Sequence, residues 1–172
     1  MENRKIAKLF KKNPQTLKTI FHELAEAGAI PVLYRFRDYI QGPIAPFLQE
    51  KDKNGDLCIH LAVKANRGAK AIQILTVLAE LGADLNAAND DTRFTVVHLA
   101  VMGSDCKLLQ WLAAQPHIDL NAKSWNGLTA CEMAFIEMNE RMMDILISHG
   151  AESPRAEVVH EWTAVFPTIH EE

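Results

Sequence analysis

The sequence predicts an all-α solenoid of about four helix-pair repeats, with short β-hairpin fingers and helical caps. A four-residue motif recurs along the chain, and its fourth residues are separated by 38, 38 and 34 positions. A second motif, Gly-Ala-Asp-Leu-Asn-Ala in its fullest form, follows it, and apolar residues at helical spacing lie between the two. A unit of this kind buries its apolar face only against its neighbours, so the recurrence indicates a stacked array. The four copies of the first motif are Thr19–His22, Leu57–His60, Thr95–His98 and Thr129–Glu132.

The motifs divide the chain into two caps with four repeats between them. Asn13-Pro14 is expected to end the first capping helix, because proline disrupts a helix interior. Ser153 is expected to cap the last helix, with Pro154 at its first helical position. The predicted boundaries are 1–18 for the basic N-terminal capping helix, 19–50, 51–88, 89–122 and 123–152 for the repeats within 19–152, and 153–172 for the C-terminal capping helix and tail.

Threonine precedes the apolar run in three of the four motif copies, where its hydroxyl can cap a helix. Thr19, Thr95 and Thr129 are therefore predicted N-caps. In the last copy Glu132 stands where the others have histidine, and Thr129-x-x-Glu132 forms a capping box. The second copy begins with a leucine that has no capping group, so Asp56 is expected to cap that helix instead.

Glycine marks the predicted helix ends and turns. Gly82 and Gly150 follow apolar helical stretches, and helices commonly end on a left-handed residue of this type. Asn54–Gly55 and Asn126–Gly127 are turn dipeptides suited to the hairpin fingers. Arg93 stands where the third finger is expected to have its glycine, so the form of that finger is open.

The composition excludes several classes of protein. The chain has 172 residues, of which 48% are hydrophobic and 23% charged, which argues against a collagen-like, low-complexity or disordered protein. Three widely spaced cysteines are an odd number, which argues against a disulfide framework and for a reducing compartment. No stretch approaches the ~20 apolar residues that span a membrane, and the charged start has no signal-peptide run.

Charge is spread unevenly along the chain. Residues 1–18 hold six basic residues and one acidic residue, whereas the other 154 residues hold 12 basic and 21 acidic ones. A basic arm ahead of an acidic body is compatible with nucleic-acid or membrane contact. Ile6, Leu9 and Phe10 interleave with the lysines at helical spacing, which also fits a helix that covers the end of the core. We predict the capping role, and neither nucleic acid nor membrane as a partner.

No catalytic constellation is present, and we predict a protein that is not an enzyme, uses no cofactor and binds no metal. The sequence contains no nucleotide-binding glycine motif and no His-Glu-x-x-His. His22, His60 and His98 occupy one position of the repeat, where hydrogen bonds from the ring tie adjacent loops together. Cys58 lies near His60, but its place in the repeat favours small apolar packing over a nucleophile.

Recognition is the remaining class of function, because repeat solenoids present a concave face of finger tips and inner helices. Trp125 is the most informative residue, since Trp and Arg are enriched at binding hot spots. The alternative is that Trp125 folds back onto its own finger. The acidic body favours a basic partner segment. The candidate contact residues are Lys53, Lys64, Asp90, Asp91, Arg93, Phe94, Met102, Lys123, Trp125 and Ile136.

Both motifs resemble the ankyrin repeat, whose consensus contains Thr-Pro-Leu-His and closes on Gly-Ala-Asp-x-Asn-Ala. The compact chain, the entry unit Ile20–Gly28 and the closing stretch Gly127–Leu146 are similar to the ankyrin proteins of polydnaviruses (bracoviruses), which look like IκB inhibitors. The resemblance implies binding to a host Rel/NF-κB dimer, masking of its nuclear-localisation segment or DNA-binding face, and suppression of host immune signalling. It also implies a monomer when unbound, in the host cytoplasm, with the nucleus as a second open location.

Regulated release of the IκB type has no substrate in this sequence. The serines are Ser104, Ser124, Ser148 and Ser153, and no Asp-Ser-Gly degron occurs. The resemblance therefore implies an inhibitor without the phosphodegron and the Pro/Glu/Ser/Thr-rich tail of cellular IκB proteins. A general ankyrin adaptor for another signalling or ubiquitin-pathway protein also fits, because such modules lack degrons too.

Overall fold

The computed structural model describes residues 11–39 and 44–165, and these ranges contain ten helices and no strand. The predicted all-α solenoid is confirmed. The helices are α1 Ile20–Ala27, α2 Ile30–Tyr39, α3 Ala45–Leu48, α4 Cys58–Ala65, α5 Gly68–Glu80, α6 Val96–Met102, α7 Cys106–Ala113, α8 Ala130–Ile136, α9 Glu140–Ser148 and α10 Ala156–Val165.

The helices form two layers, because each repeat contributes one inner and one outer helix. The inner helices α1, α4, α6 and α8 pack side by side, and α2, α5, α7 and α9 form the outer layer. Phe21, Leu75, Leu109 and Met142 are among the fully buried side chains of the continuous core. The short helix α3 lies in the irregular connection of the first repeat, where Leu48 is buried. Stacking therefore buries the apolar stripe of every repeat.

Four tight turns, which we call the fingers, precede the inner helices. Each contains two backbone hydrogen bonds, of which one joins its two ends, and the described residues show no strand ladder beside it. The predicted hairpin fingers are therefore present as turns. The closing N–H to carbonyl distances are 2.8 Å in finger one (Asn13–Lys18), 2.9 Å in finger two (Asp52–Asp56), 3.0 Å in finger three (Asn89–Phe94) and 2.9 Å in finger four (Ser124–Leu128).

Finger one stands where the sequence predicts the end of a capping helix. The side-chain oxygen of Asn13 accepts the N–H groups of Gln15 and Thr16 at 2.9 and 3.3 Å. Asn89 makes the same kind of turn in finger three. A local side-chain turn of this type competes with helix, so the predicted helix is wrong for residues 11–18. The rest of that prediction, residues 1–10, lies outside the described residues.

Neighbouring fingers are joined by one backbone hydrogen bond at each step. The donor is always a residue near the tip of one finger, and the acceptor is a carbonyl of the finger before it. The fingers therefore form one row along one side of the stack. These links run from Lys53 N–H to Thr16 O at 3.0 Å, from Asp90 N–H to Gly55 O at 3.2 Å, and from Trp125 N–H to Thr92 O at 3.0 Å.

Two predicted N-caps are wrong, because longer-range contacts engage the groups involved. The Asp56 carboxylate does not cap α4; it accepts from Lys64 Nζ at 2.6 Å and from Asn89 Nδ2 at 2.7 Å. Ser153 does not cap the last helix, which begins at Ala156. The backbone N–H of Arg155, the residue before this helix, donates to Glu132 Oε1 of α8 at 3.2 Å.

Positive backbone φ values occur where the sequence predicts them in the fingers. Gly55 and Gly127 have φ values of 71° and 77°. Arg93 adopts a φ of 54° in finger three without being glycine, as Leu17 does at 56° in finger one. These two fingers are one residue longer than the glycine fingers, and their positive φ values carry a cost in backbone strain.

Replacing Gly55 by alanine is expected to destabilise the protein more than the same change at Gly127. Both changes place a side chain in the left-handed region, which costs about 1 kcal/mol. At Gly55 the new Cβ would also lie 2.9 Å from Asp90 Cβ on the next finger, whereas no atom lies within 4 Å at Gly127. We expect urea denaturation to give losses of about 2–3 kcal/mol and about 1 kcal/mol respectively. Equal losses would contradict the close approach of fingers two and three.

Candidate recognition surface

The three repeat histidines tie their helices to the loop or finger that leads into the next repeat. Their Nδ1 atoms accept the N–H at the start of the same helix, so the ring proton lies on Nε2 and points to a carbonyl oxygen. The structure thus places all three rings at the junctions that the sequence predicts for them. The Nε2 to carbonyl distances are 3.0 Å from His22 to Asp56, 3.1 Å from His60 to Ala87 and 3.3 Å from His98 to Leu128.

Burial keeps these rings neutral. Removal from water lowers the pKa of His22, His60 and His98, because the apolar interior disfavours the charged imidazolium. Burial also raises the pKa of the Cys58 thiol to about 12, so little thiolate is present near neutral pH. Across residues 11–39 and 44–165 no three His, Cys, Asp or Glu side chains converge to hold a metal ion.

The last repeat departs from this pattern at Glu132, which is only 1% exposed. Its Oε2 accepts the N–H of Thr129 at 2.9 Å, and Thr129 Oγ1 accepts the N–H of Glu132 at 3.2 Å, which completes the capping box. Burial alone would raise the pKa of Glu132. The hydrogen bonds from Arg155 and Thr129 outweigh burial and lower that pKa.

Arg155, which the sequence does not single out, holds the C-terminal segment to this repeat. Its Nε donates to Glu132 Oε1 at 2.6 Å, and its Nη2 donates to Glu132 Oε2 at 3.1 Å. Nη2 also lies 3.0 Å from the carbonyl oxygen of Gly127 in finger four. No spacing rule finds this contact, because Glu132 and Arg155 are 23 positions apart and Arg155 belongs to no repeated pattern.

Trp125 extends outward from finger four. Its side chain is 67% exposed, although its backbone N–H is bonded to finger three. Folding back onto its own finger, the alternative open from sequence, does not occur. Phe94 behaves differently, because it is half-buried and its ring stacks on His98 with centroids 5.5 Å apart. The sequence predicts Phe94 as a contact residue, but this packing makes it part of the finger base.

The inner-helix candidates occupy the same register position of successive repeats. Met102 is 51% exposed at the end of α6, whereas Ile136 at the end of α8 is half-buried. Met138 follows in the turn after α8 and is 63% exposed. The repeat pattern does not indicate Met138, but its φ of 51° at a helix end turns it away from the core.

Two of the six charged candidates form ion pairs with residues outside the candidate set. Lys64 binds Asp56 at 2.6 Å, and Asp90 is paired with Lys51 across fingers two and three. Four other candidates are exposed, and they lie on or beside the fingers. These exposed charged residues are Lys53, Asp91, Arg93 and Lys123.

Charge differs between the two halves of the stack, whereas exposed apolar side chains occur in both, with Leu17 and Tyr39 among those of the first half. Residues 11–88 carry ten basic and eight acidic residues, whereas residues 89–152 carry four basic and nine acidic ones. The exposed side chains of Met102, Trp125 and Met138 all fall in the second, acidic half. The last two repeats therefore offer apolar anchors in a negative field, a combination that favours a basic partner with apolar side chains.

A cleft of about 260 Å³ lies on the outer side, between the loops of the second and third repeats. Its polar residue Asn86 is already engaged, because it donates to His117 O at 2.8 Å and accepts from Asp119 N–H at 2.8 Å. The cleft is thus part of the link between these loops.

In the parts of the chain that are described, no helix has the length and apolar character needed to cross a bilayer.

Comparisons with known proteins give a consistent group of relatives. The chain is 37% identical over 131 residues to I-kappa-B like protein N3 of Microplitis demolitor bracovirus, which covers 76% of this chain and 80% of that protein. It is 33% identical to I-kappa-B like protein N2 of the same virus, over 79% and 75% of the two chains. The NF-kappa-B inhibitor cactus of Drosophila melanogaster is 34% identical over 62% of this chain but only 21% of its own length.

A solved structure shares the fold. The ankyrin-repeat domain of Bcl-3, a member of the IκB protein family, has a TM-score of 0.72 and 20% identity, covering 87% of this chain and 69% of that chain. No family model matches the sequence.

Proposed function

Because this chain belongs to the bracovirus family of IκB-like ankyrin-repeat proteins, we propose that it binds a host Rel/NF-κB dimer and withholds it from DNA. The proposal gives the chain a binding role and no catalytic one. The similarity to the NF-kappa-B inhibitor cactus supports it.

The exposed indole of Trp125 is the observation that best supports a binding surface on the fingers. A large aromatic side chain that is 67% exposed on a hydrogen-bonded turn loses little conformational entropy when a partner covers it. Tryptophan is also among the residues that contribute most to protein interfaces. We place the centre of the contact on finger four and the neighbouring inner helices.

The two halves of the stack contribute differently to the proposed contact. In the first half, lysines are paired internally, as Lys64 is with Asp56 and Lys18 with Glu26, so new charge pairs would have to displace existing ones. In the second half, Met102 and Trp125 lie in the acidic region 89–152. We infer that the partner places a basic segment with apolar side chains against the last two repeats.

The proposed inhibition is constitutive. The printed sequence contains no Asp-Ser-Gly, so a kinase that recognises the IκB degron has no target in it. Incubation with such a kinase and ATP is expected to leave a complex with a Rel dimer intact, whereas release would overturn this part of the proposal.

Isothermal titration calorimetry tests the proposal directly. Purified protein is titrated into the Rel homology dimer of each of several insect Rel proteins. We expect a 1:1 complex of one chain per dimer with an affinity in the micromolar range or tighter. The absence of heat and of any mobility shift with all dimers at micromolar concentration would refute binding to Rel proteins.

Trp125→Ala is expected to weaken that complex about 30-fold or more, which corresponds to about 2 kcal/mol for a hot-spot residue. The melting temperature should change little, because the side chain is 67% exposed. Tyr39→Ala provides the matched control, since Tyr39 is 81% exposed but lies at the end of the outer helix α2. Equal weakening by both variants would contradict the placement of the contact on the fingers.

A general adaptor role is the alternative, and an unbiased pull-down from host-cell lysate separates the two. Recovery of Rel proteins by the wild type and their loss with Trp125→Ala would support the proposal. A nucleic-acid role has less support, because Lys12 binds Glu50 at 2.6 Å and Lys18 pairs with Glu26 within the described chain. Salt-dependent DNA binding that is lost on deleting residues 1–12 would reverse this judgement.

A further inference from the structure

We propose that finger four is the anchor of the recognition surface and that Arg155 is the residue that positions it. Arg155 bonds to Glu132 and to the carbonyl of Gly127, the positions that in the earlier repeats bond to the following repeat. It therefore holds finger four on the side away from finger three. The positioning role concerns the unbound protein, and its effect on affinity rests on the proposed function.

Two kinds of hydrogen bond recur between successive repeats on the finger side. One runs from the Nε2 of the repeat histidine to a carbonyl oxygen of the next repeat, as from His22 to Asp56 at 3.0 Å. The other runs from a finger N–H to a carbonyl of the preceding finger, as from Asp90 to Gly55 at 3.2 Å. The link between fingers occurs at all three internal junctions. The histidine link reaches a residue of the next finger from His22 and from His98, whereas His60 reaches Ala87 in the loop just before finger three.

At the end of the array one guanidinium replaces both links. Within the described chain, the residues after the fourth repeat form α10 rather than a fifth finger. The carboxylate of Glu132, which stands at the histidine position, accepts from Arg155 Nε at 2.6 Å. The carbonyl of Gly127 accepts from Nη2 at 3.0 Å, where a fifth finger would have placed its N–H. The Arg155 backbone N–H adds a contact to Glu132 Oε1 at 3.2 Å.

Finger four is therefore held from both sides. Its Trp125 N–H donates to Thr92 O at 3.0 Å, and its Gly127 carbonyl accepts from Arg155. A finger held in this way presents the indole in one orientation before the partner arrives, which reduces the ordering cost of binding. Arginine is required because its planar fork bonds the carboxylate and the carbonyl together, whereas the single ammonium of lysine lacks that geometry.

Amide hydrogen exchange of the unbound protein tests the positioning role without any partner. In Arg155→Lys, exchange of residues 124–128 should rise about tenfold or more, while finger two (Asp52–Asp56) stays unchanged. Arg37→Lys is the matched control, because Arg37 forms an ion pair with Glu80 between outer helices. Unchanged exchange in finger four, or an equal rise in all fingers, would overturn the proposal.

A double-mutant cycle on binding to the Rel dimer separates positioning from general stability. Arg155→Lys alone should weaken binding about tenfold, and the same change in a Trp125→Ala background should weaken it little further. Equal weakening in both backgrounds would mean that Arg155 does not act through Trp125. If no Rel dimer binds the wild type, the proposed function fails, and the exchange experiment alone decides whether Arg155 holds finger four.

Discussion

His60→Ala is expected to lower the free energy of unfolding by about 4 kcal/mol, a large part of the stability of a typical domain. The ring is fully buried between the second and third repeats. Removal of the ring leaves a cavity. It also leaves the Leu57 N–H and the Ala87 carbonyl oxygen without the hydrogen bonds that they make to His60. Each buried backbone group left without a partner costs about 1–3 kcal/mol, and the cavity adds to that loss.

Urea denaturation followed by circular dichroism measures this effect. His149→Ala is the control, because His149 is exposed and bonds only to Ser148 and to Ile145 of its own helix. We expect a change below about 0.5 kcal/mol for that variant. A loss below about 1 kcal/mol in His60→Ala would contradict the assignment of the histidine as the link between repeats.

Acidification is expected to destabilise the protein steeply between pH 7.5 and pH 5.5. Burial lowers the pKa of His22, His60 and His98 below the ordinary value of 6.5. As the pH falls through 6.5, the unfolded chain takes up protons that the folded chain does not, so the free energy of unfolding falls. The stabilisation that comes from keeping the rings neutral is fully present above pH 6.5. It is lost progressively as the pH falls from 6.5 to the lower pKa of the rings in the folded protein. Each ring contributes a slope of up to about 1.4 kcal/mol per pH unit.

Urea denaturation at a series of pH values gives the slope. His98→Gln is the informative variant, because glutamine does not titrate and its slope between pH 6.5 and 5.5 should fall by up to one third. Carboxylates act at lower pH: the pKa of Glu132 is lowered from 4.5, so its contribution is present above that value and lost below it. Stability that is unchanged between pH 7.5 and 5.5 would show that the rings are not held neutral.

The parts of the fold that recur are the parts that sequence reasoning predicts well. The repeat motif specifies the inner helices, and Gly55 and Gly127 specify the turns, because these features depend on local chemistry that appears more than once. Asp56 is different, since its carboxylate reaches Lys64 and Asn89 rather than the helix start beside it. Local sequence rules predict an N-cap from the neighbouring residues alone. They therefore miss a partner such as Asn89, which comes close to Asp56 only when the repeats stack.

The ends of the array are predicted less well, because nothing there repeats. Finger one is missed because Asn13-Pro14 is also a typical end of a helix. In the structure the side chain of Asn13 instead accepts two backbone N–H groups and forms a turn. The contact of Glu132 with Arg155 joins a motif residue to a residue that matches no motif. Exposure of Trp125 depends on which residues lie beside finger four in the folded chain, and sequence spacing alone does not show this.

Displacement of a Rel dimer from DNA tests the proposed inhibition most directly. A fluorescently labelled duplex carrying a Rel binding site is saturated with an insect Rel dimer, and its anisotropy is followed as this protein is added. We predict that the anisotropy falls to the value of free duplex, and that Trp125→Ala needs a concentration at least about tenfold higher. Anisotropy that stays unchanged at micromolar protein, or rises through a ternary complex, would contradict an inhibitor that withholds the dimer from DNA.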